Sequence, residues 1–325
     1  MSEGAPPRAE LIADRGEAAN DDEFFRCRQF LEAEGVTHTL RIETDAGDLL
    51  APLIVRPVPG GEELDGVSPY GYPGIVRASD IDHTRGGSMS EARLEPASVD
   101  FSATGLVSLF IRHALGEPPL AGASQRNVVQ IADPALPPKS RGSDRNQVNK
   151  NLRRGYRLSI VPGPETTAAD RAGFHAAYQQ TMRRTEADER YFFSAEYFER
   201  ILSSPLTWLA LARAPDGGVA AASIAARSDG FLHYYLSGSA DSCLRDSPMK
   251  NVVAALVELS AELGMPLNLG GGIARGDRLE EFKRGFANRE QPWLTSEIVC
   301  DGATYARLSQ GRDAGGFFPA YRAGL

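Results

Sequence analysis

Three apolar runs in close succession constrain this chain more than any other feature of it. Residues 206–213, 219–227 and 231–237 each read as a β-strand, and Pro215-Asp-Gly-Gly218 and Ser228-Asp-Gly230 supply turns between them. Connections this short join antiparallel neighbours, so the segment is an antiparallel meander. Asp246-Ser247-Pro248 then predicts a capped helix start with Pro in the first turn, and the helix runs to Leu263 before Gly264. Its Val252, Val253, Leu256, Val257, Leu259 and Leu263 spread widely round the axis, which predicts a well-buried helix. Residues 266–269 form a short strand leading into Gly270-Gly271-Gly272. A helix over 277–284, a strand over 293–300 and a helix capped by Asp301 complete the pattern. The second half therefore reads βββ-α-β-α-β-α.

Upstream, 168–184 is an amphipathic helix with Phe174, Ala177, Tyr178 and Met182 on one face, and 194–202 is a shorter helix with Ser194 as N-cap. Residues 156–161 read as a strand preceded by a basic helix that Gly155 stops. In the first half, residues 1–20 are expected to be a flexible arm. A helix over 22–34 follows, with Asp21 or Asp22 as N-cap and Gly35 as its stop. Strands over 37–44 and 49–55 are joined by the Asp45-Ala-Gly-Asp48 turn as a hairpin. Ser68-Pro-Tyr-Gly-Tyr-Pro-Gly74 reads as a loop carrying Tyr70 and Tyr72. A helix is expected over 101–115, ended by Gly116 and Pro118-Pro119, and a strand over 127–131. The loop 132–142 holds three prolines and separates the halves. The expected domains are 21–135 and 136–325.

A chain of 325 residues fits two domains. With 42% apolar and 24% charged residues it is an ordinary globular chain, neither disordered nor fibrous. No apolar run approaches the length of a membrane-spanning helix. The polar N-terminus does not read as a secretory signal. Cys27, Cys243 and Cys300 are odd in number and far apart, which reads as reduced thiols and a cytoplasmic location. His38, His83, His113, His175 and His233 include no metal-ligand spacing, so no metal is expected, and no cofactor is implied. Neither a Gly-x-Ser-x-Gly elbow nor a Gly-x-x-x-x-Gly-Lys loop occurs.

The net charge of −8 argues against indiscriminate nucleic-acid binding. One stretch runs the other way: Lys139, Arg141, Arg145, Lys150, Arg153, Arg154 and Arg157 face a single acid, Asp144. That segment reads either as a solvated helix face or as a patch for phosphates of RNA or a nucleotide. Only four of the 35 basic residues are lysines, namely Lys139, Lys150, Lys250 and Lys283. Coding bias explains most of that, yet a surviving lysine marks places where a compact ammonium is wanted in place of a planar fork.

The strand–helix order of 206–300 resembles the GNAT acyltransferase core. Four motifs, FHAAYQQTMRRTEADERYFFSAEYFERIL (174–202), HYYLSGS (233–239), SPMKNVVAALVELSAELGMPLNLGGGI (247–273) and LEEFKRGFA (279–287), together resemble the FemAB/FemX family. The resemblance is good over roughly 145–310, and SPYGYPG (68–74) is its main match before that. It implies an α+β fold of two GNAT-like (acyl-CoA N-acyltransferase-like) domains with a cleft between or beside them. The implied activity is amino-acid transfer from aminoacyl-tRNA to an amine of a peptidoglycan precursor or a small peptide-like natural product. One departure from ordinary GNAT enzymes supports this. Their Arg-x-x-Gly-x-Gly/Ala pyrophosphate loop is replaced here by Ser242-Cys-Leu-Arg-Asp-Ser-Pro-Met-Lys-Asn251, which has no glycine, and Pro248 removes a donor. An acyl-CoA-dependent N-acyltransferase and a non-catalytic RNA- or ligand-binding module on the same fold remain alternatives.

Attack of an amine on an aminoacyl ester passes through a tetrahedral oxyanion, which needs positive charge or N–H donors beside it. By resemblance to the family's Phe-Lys-x-Gly-Phe motif, Lys283 supplies that charge and Phe282 packs beside the terminal adenosine or the aminoacyl group. Thr185, Glu186, Asp188 and Arg190 belong, again by resemblance, to the acceptor region, with Arg190 for a phosphate or carboxylate. Glu186 or Asp188 is the candidate for taking the amine's proton, unless the substrate serves as its own base. Gly270, Gly271 and Gly272 read either as a backbone approach for substrate or as a plain strand-to-helix turn. Tyr234 and Tyr235 point to opposite faces of one strand, so one lines the cleft and the other the core. Tyr70 and Tyr72 are candidates for meeting substrate or for packing. tRNA contact would rest on Lys150, Arg153, Arg154 and neighbouring arginines.

Overall fold

The computed structural model describes residues 6–81, 93–116, 118 and 120–324. His83 and Pro119 lie outside the described residues, as do the first five residues of the expected arm. In chain order the first elements are β1 (Arg8–Ile12), α1 (Arg28–Ala33), β2 (His38–Glu43), β3 (Leu49–Pro57), β4 (Leu64–Val67), β5 (Val76–Arg77), α2 (Ala78–Ile81) and β6 (Leu106–Arg112). Then come β7 (Ser124–Ala132), α3 (Gly142–Arg153), β8 (Arg157–Pro162), α4 (Ala168–Arg184), α5 (Ala195–Leu202), β9 (Thr207–Arg213), β10 (Val219–Ser228) and β11 (Phe231–Ser239). The last are α6 (Met249–Glu262), β12 (Leu267–Asn268), α7 (Arg278–Arg284), β13 (Arg289–Val299) and α8 (Gly302–Ser309).

The chain forms two compact units. The first holds residues up to Asp21, Phe25–Arg126 and the chain from Trp293 on; the second holds Asp22–Phe24 and Asn127–Pro292. These bounds depart from the expected ones at both ends. Residues 293–325 join the first unit because β13 pairs antiparallel with β6, Thr295 opposite Arg112 through Val299 opposite Ser108. The expected arm contributes β1, paired along its length with β2.

In the first unit, β2 and β3 form the expected hairpin, Ile42 opposite Leu49. Their alternate residues Leu40, Ile42, Leu49, Ala51 and Leu53 build a core with Leu106, Leu109, Ile111 and Ile298. The helix expected over 101–115 is instead one 3-10 turn, Ser102–Thr104, followed by β6. Leu109 and Ile111 face that core while Val107 packs with Val58 and Tyr321 on the other side. A run buried on both faces carries no period that separates strand from helix. Gly105, left-handed at φ 66°, is the local signal that ends the turn. The unit also buries Asp65, whose carboxylate accepts from Arg56 Nε at 2.7 Å, Arg322 Nε at 2.5 Å and Tyr321 Oη at 3.1 Å. This network anchors the C-terminal segment to β4.

In the second unit the meander is present as expected, with β10 central between β9 and β11 and β8 outside β9. α6 lies on a core of Ala132, Ala210, Ala212, Ala221, Ala225, Leu232 and Leu267. Alanines there leave room for the helix's Val252, Val253 and Leu256. α4 starts at a Thr167–Asp170 capping box and rests directly on β11. A Cβ on Gly238 would lie 2.5 Å from backbone atoms of Tyr178. α5 is capped by Ser194 as expected. The expected cap of α6 is not formed: neither Asp246 nor Ser247 caps it, and Pro248 occupies the N-cap position without a side-chain bond. The reason is competition. The Asp246 carboxylate is held by Arg154 at 2.5 Å and Tyr156 Oη at 2.9 Å, and its main-chain carbonyl accepts from Asn151 and Gln147.

β11 and β12 run parallel for only two rungs, Leu232 opposite Leu267 and His233 opposite Asn268. β12 then ends, while β11 continues to Ser239, so the two strands fork after His233. The last rung is also pinned by side chains. His233 Nε2 donates to the Ser228 carbonyl at 3.1 Å, and Nδ1 accepts from Asn268 Nδ2 at 3.0 Å. Burial pushes the imidazole down to about 4, so it is neutral at physiological pH.

Candidate functional site

The fork is where the candidate chemistry collects. After Asn268 the chain turns at Gly270, left-handed at φ 75°, and enters α7 through Asp277. Asp277 caps α7 by accepting from the Glu280 amide at 2.7 Å. This sets the rotation of a helix of only two turns, and it turns Lys283 inward. Lys283 is 8% exposed. Its Nζ donates to the Gly271 carbonyl at 2.6 Å and lies 6.0 Å from the centre of the Tyr234 ring. Burial lowers the ammonium to about 8, with the Asp277 charge pulling the other way. Tyr234 donates its phenol proton to Ser237 Oγ at 2.6 Å, and burial raises it to about 12. At neutral pH the site thus holds one buried cation beside a neutral phenol. An ammonium has three donors. The Gly271 bond uses one of Lys283's.

The three glycines have distinct reasons. Gly270 needs its backbone angle, whereas Gly271 and Gly272 need to lack a side chain. A Cβ on Gly271 would lie 2.5 Å from Asn127 Nδ2, and one on Gly272 would lie 2.4 Å from Asp277 Oδ1. The space above these two glycines is therefore filled by the protein's own side chains. Phe282 is half-buried and packs against Phe286, their centroids 5.7 Å apart. The two tyrosines have different surroundings: Tyr234 packs on the core that α6 covers, and Tyr235 stands at a bulge of β11 between Tyr234 and Leu236. Tyr235 shares a hydrogen bond of 2.8 Å with Tyr197 Oη and meets the Phe24 ring edge-on.

The turn after α4 is built differently. Thr185 Oγ1 donates to the Thr181 carbonyl at 2.9 Å, and Glu186 takes a left-handed φ of 51°. Asp188 accepts from the Arg190 amide at 3.1 Å, and Arg190 lies over the Tyr191 ring. All four side chains are exposed or nearly so, and their bonds stay within the turn or reach back to α4. Tyr70 and Tyr72 belong to the first unit. Tyr72 meets Phe25 and Trp293 edge-on, and the Tyr70 amide donates to Glu34 at 2.8 Å. On α3, Lys150 and Arg153 are exposed, Arg154 is committed to Asp246, and Arg141 lies 3.6 Å from Glu281.

The junction before α6 carries no glycine cradle. Asp246 and Asp241 stand there instead, the latter ion-paired with Arg184. A pyrophosphate would find no glycine-lined backbone there, and Pro248 offers no N–H. Lys250, at the first turn of α6, is itself bound to Asp144 at 2.8 Å. Among the described residues no cluster of His, Cys, Asp or Glu is arranged to hold a metal ion, and no helix is long and apolar enough to cross a membrane. Sequence reasoning missed Asn127 and the clasp made by Asp277. Asp277 was legible as an N-cap after a glycine run; nothing in the sequence singles out Asn127.

Residues 139–284 match the family model of an acetyltransferase (GNAT) domain. No curated protein matches the chain significantly. Among solved structures, FemX aligns with a TM-score of 0.60 over 92% of this chain and 99% of its own, at 11% identity. L-PGS from Bacillus licheniformis aligns with a TM-score of 0.54 over 81% of this chain and 84% of its own, at 13% identity. The C-terminal domain of a putative lysylphosphatidylglycerol synthetase from Agrobacterium fabrum gives 0.51 over 82% and 85%, at 15% identity. By fold the chain is similar to FemX and to these synthetase structures. Its second unit carries a GNAT-type acyltransferase domain.

Proposed function

We propose that this protein is an aminoacyltransferase that moves an amino acid from aminoacyl-tRNA to an amine of a peptide-like acceptor. The observation that carries the reading is the Lys283 ammonium, buried in the fork beside Gly271. In the step proposed, the acceptor amine attacks the ester carbonyl and the carbon becomes tetrahedral. Negative charge gathers on the carbonyl oxygen, where the remaining donors of Lys283 stabilise it. The C–N bond formed in the attack becomes the peptide bond as the C–O bond to the ribose breaks, and the amine's proton passes by way of a base to the departing ribose oxygen. Glu186 and Asp188 are the candidates for that base, with Arg190 and Thr185 binding the acceptor. Phe282 and Tyr234 would flank the aminoacyl group.

The FemAB/FemX resemblance supports an aminoacyl-tRNA donor and a peptidoglycan precursor or small peptide natural product as acceptor. The junction before α6 supports it too, because it has no glycine with which to cradle the pyrophosphate of a CoA donor. Lys150, Arg153 and Arg154 are the proposed RNA contacts, and a tRNA donor implies a cytoplasmic site of action. The test is a transfer assay with pooled charged tRNAs and candidate acceptors, read by mass spectrometry, with and without ribonuclease. Product that disappears with ribonuclease is the expected result. Product that survives ribonuclease and requires acyl-CoA overturns the donor, and ligand binding without turnover of any donor overturns the enzyme.

A further inference from the structure

The glycine bend and the helix that carries Lys283 are fastened together from two separate chain segments. From β7, Asn127 Nδ2 donates to the Gly272 carbonyl at 2.9 Å, and Asn127 Oδ1 accepts from the Val128 amide at 2.8 Å. Both ends of the amide are used, so its orientation is fixed. From the start of α7, Asp277 Oδ2 accepts from the amides of Ile273 at 2.7 Å and Ala274 at 3.0 Å, while Oδ1 caps the helix. Gly271 and Gly272 admit these two side chains at distances no Cβ would allow. Adjoining this gripped segment is the Gly271 carbonyl, the acceptor for Lys283 Nζ.

We propose that Asn127 and Asp277 are positioning residues that clamp the Gly270–Gly272 bend, so that the Gly271 carbonyl holds the Lys283 ammonium in place beside Tyr234. Neither residue touches the reacting atoms; each acts through the bend. The role in transfer rests on the function proposed above, whereas the clamp itself is a property of the second unit. Three segments face Lys283. The start of α7 contributes the Asp277 carboxylate, β11 contributes the neutral Tyr234 phenol, and the bend contributes only a carbonyl. Glu280, one turn back, is engaged by Arg284 and by the Gly276 amide at 2.8 Å.

The chain has only four lysines, so isotope-labelled lysine side chains can be followed one by one by NMR while pH is varied. The signal lost in Lys283→Met identifies Lys283. Its midpoint in the wild type is expected at about 8. Asp277→Asn removes the favourable charge and moves the midpoint down by roughly half a unit or more. Asn127→Ala releases the bend, admits water to the ammonium and moves the midpoint up by about one unit. Asn127→Leu, with the same branching and number of side-chain heavy atoms, gives the same upward shift and serves if the alanine variant does not fold. Opposite shifts support the clamp. Midpoints that stay put, or that both rise as in general loosening, overturn it. The readout needs no donor, so opposite shifts without transfer from any charged tRNA would retain the clamp and discard the proposed function.

Discussion

Lys283 Nζ lies 2.6 Å from the main-chain carbonyl of Gly271, and both stand where β11 and β12 part. A buried ammonium tied to a neutral carbonyl is poorly compensated. Its charge is expensive to bury and is retained at neutral pH only because the shift stops at about 8. Groups held in such surroundings are candidates for chemistry.

Lys283→Met is expected to fold and to lower transfer by roughly a hundred- to a thousand-fold, the scale for losing one oxyanion-stabilising group. Initial rates at saturating acceptor check this. Turnover near the wild-type rate removes Lys283 from the mechanism.

The same substitution is expected to stabilise the protein at neutral pH. The folded-state value of about 8 is below the ordinary 10.5. The unfolded chain therefore binds more protons between those values, and wild-type stability rises with pH across that window. Below it, the burial penalty is fully present. Replacing the ammonium removes roughly 3 kcal/mol of penalty and forfeits about 1 kcal/mol of hydrogen bond, leaving Lys283→Met about 2 kcal/mol more stable. Denaturant titrations near neutrality and near pH 10.5 should show the advantage at the first and its loss at the second.

Transfer should fall at alkaline pH with a limb near 8, because the active ammonium is depleted about tenfold per pH unit above that point. A rising limb from the acceptor amine opposes it at lower pH. A kcat/KM profile flat past pH 9, roughly a unit beyond the limb, assigns the charge to another group.

Gly238→Ala places a methyl 2.5 Å from the backbone of α4 at Tyr178. Backbone on both sides cannot swing away as a side chain would. The expected destabilisation is about 1–3 kcal/mol, seen as a lower urea midpoint with an unchanged slope.

Asp65→Ala leaves Arg56 and Arg322 without their shared carboxylate. Arg56 is partly exposed, so the cost falls below that of a wholly buried pair, at about 2–3 kcal/mol. Limited proteolysis should cut the C-terminal segment earlier in this variant. Protection equal to wild type argues that the segment is held by packing alone.

Much of the second unit was legible in the sequence because local signals agreed with one another. α4, α5 with its Ser194 cap, and the three-strand meander each combine period, cap and turn. Reading failed where a signal had two uses. Asp246 has the side chain of a cap but is taken by Arg154 and Tyr156, partners about 90 residues away in the chain. β6 is apolar on both faces, so its period is silent. Of the site, Lys283 and the glycines were visible as a motif, and their surroundings were not. Asn127 lies 145 residues before the carbonyl it holds, a separation that only folding can close.

The rung formed by His233 and Asn268 makes the opening of the fork sensitive to acid. Its imidazole must stay uncharged to accept from the amide, and its value of about 4 lies well below the ordinary 6.5. The folded state therefore forfeits stability as pH drops from 6.5 towards 4, and protonation leaves two donors facing each other at the point where the strands diverge. Souring the medium would thus slacken the crotch of the sheet, a joint that stands immediately before the glycine bend.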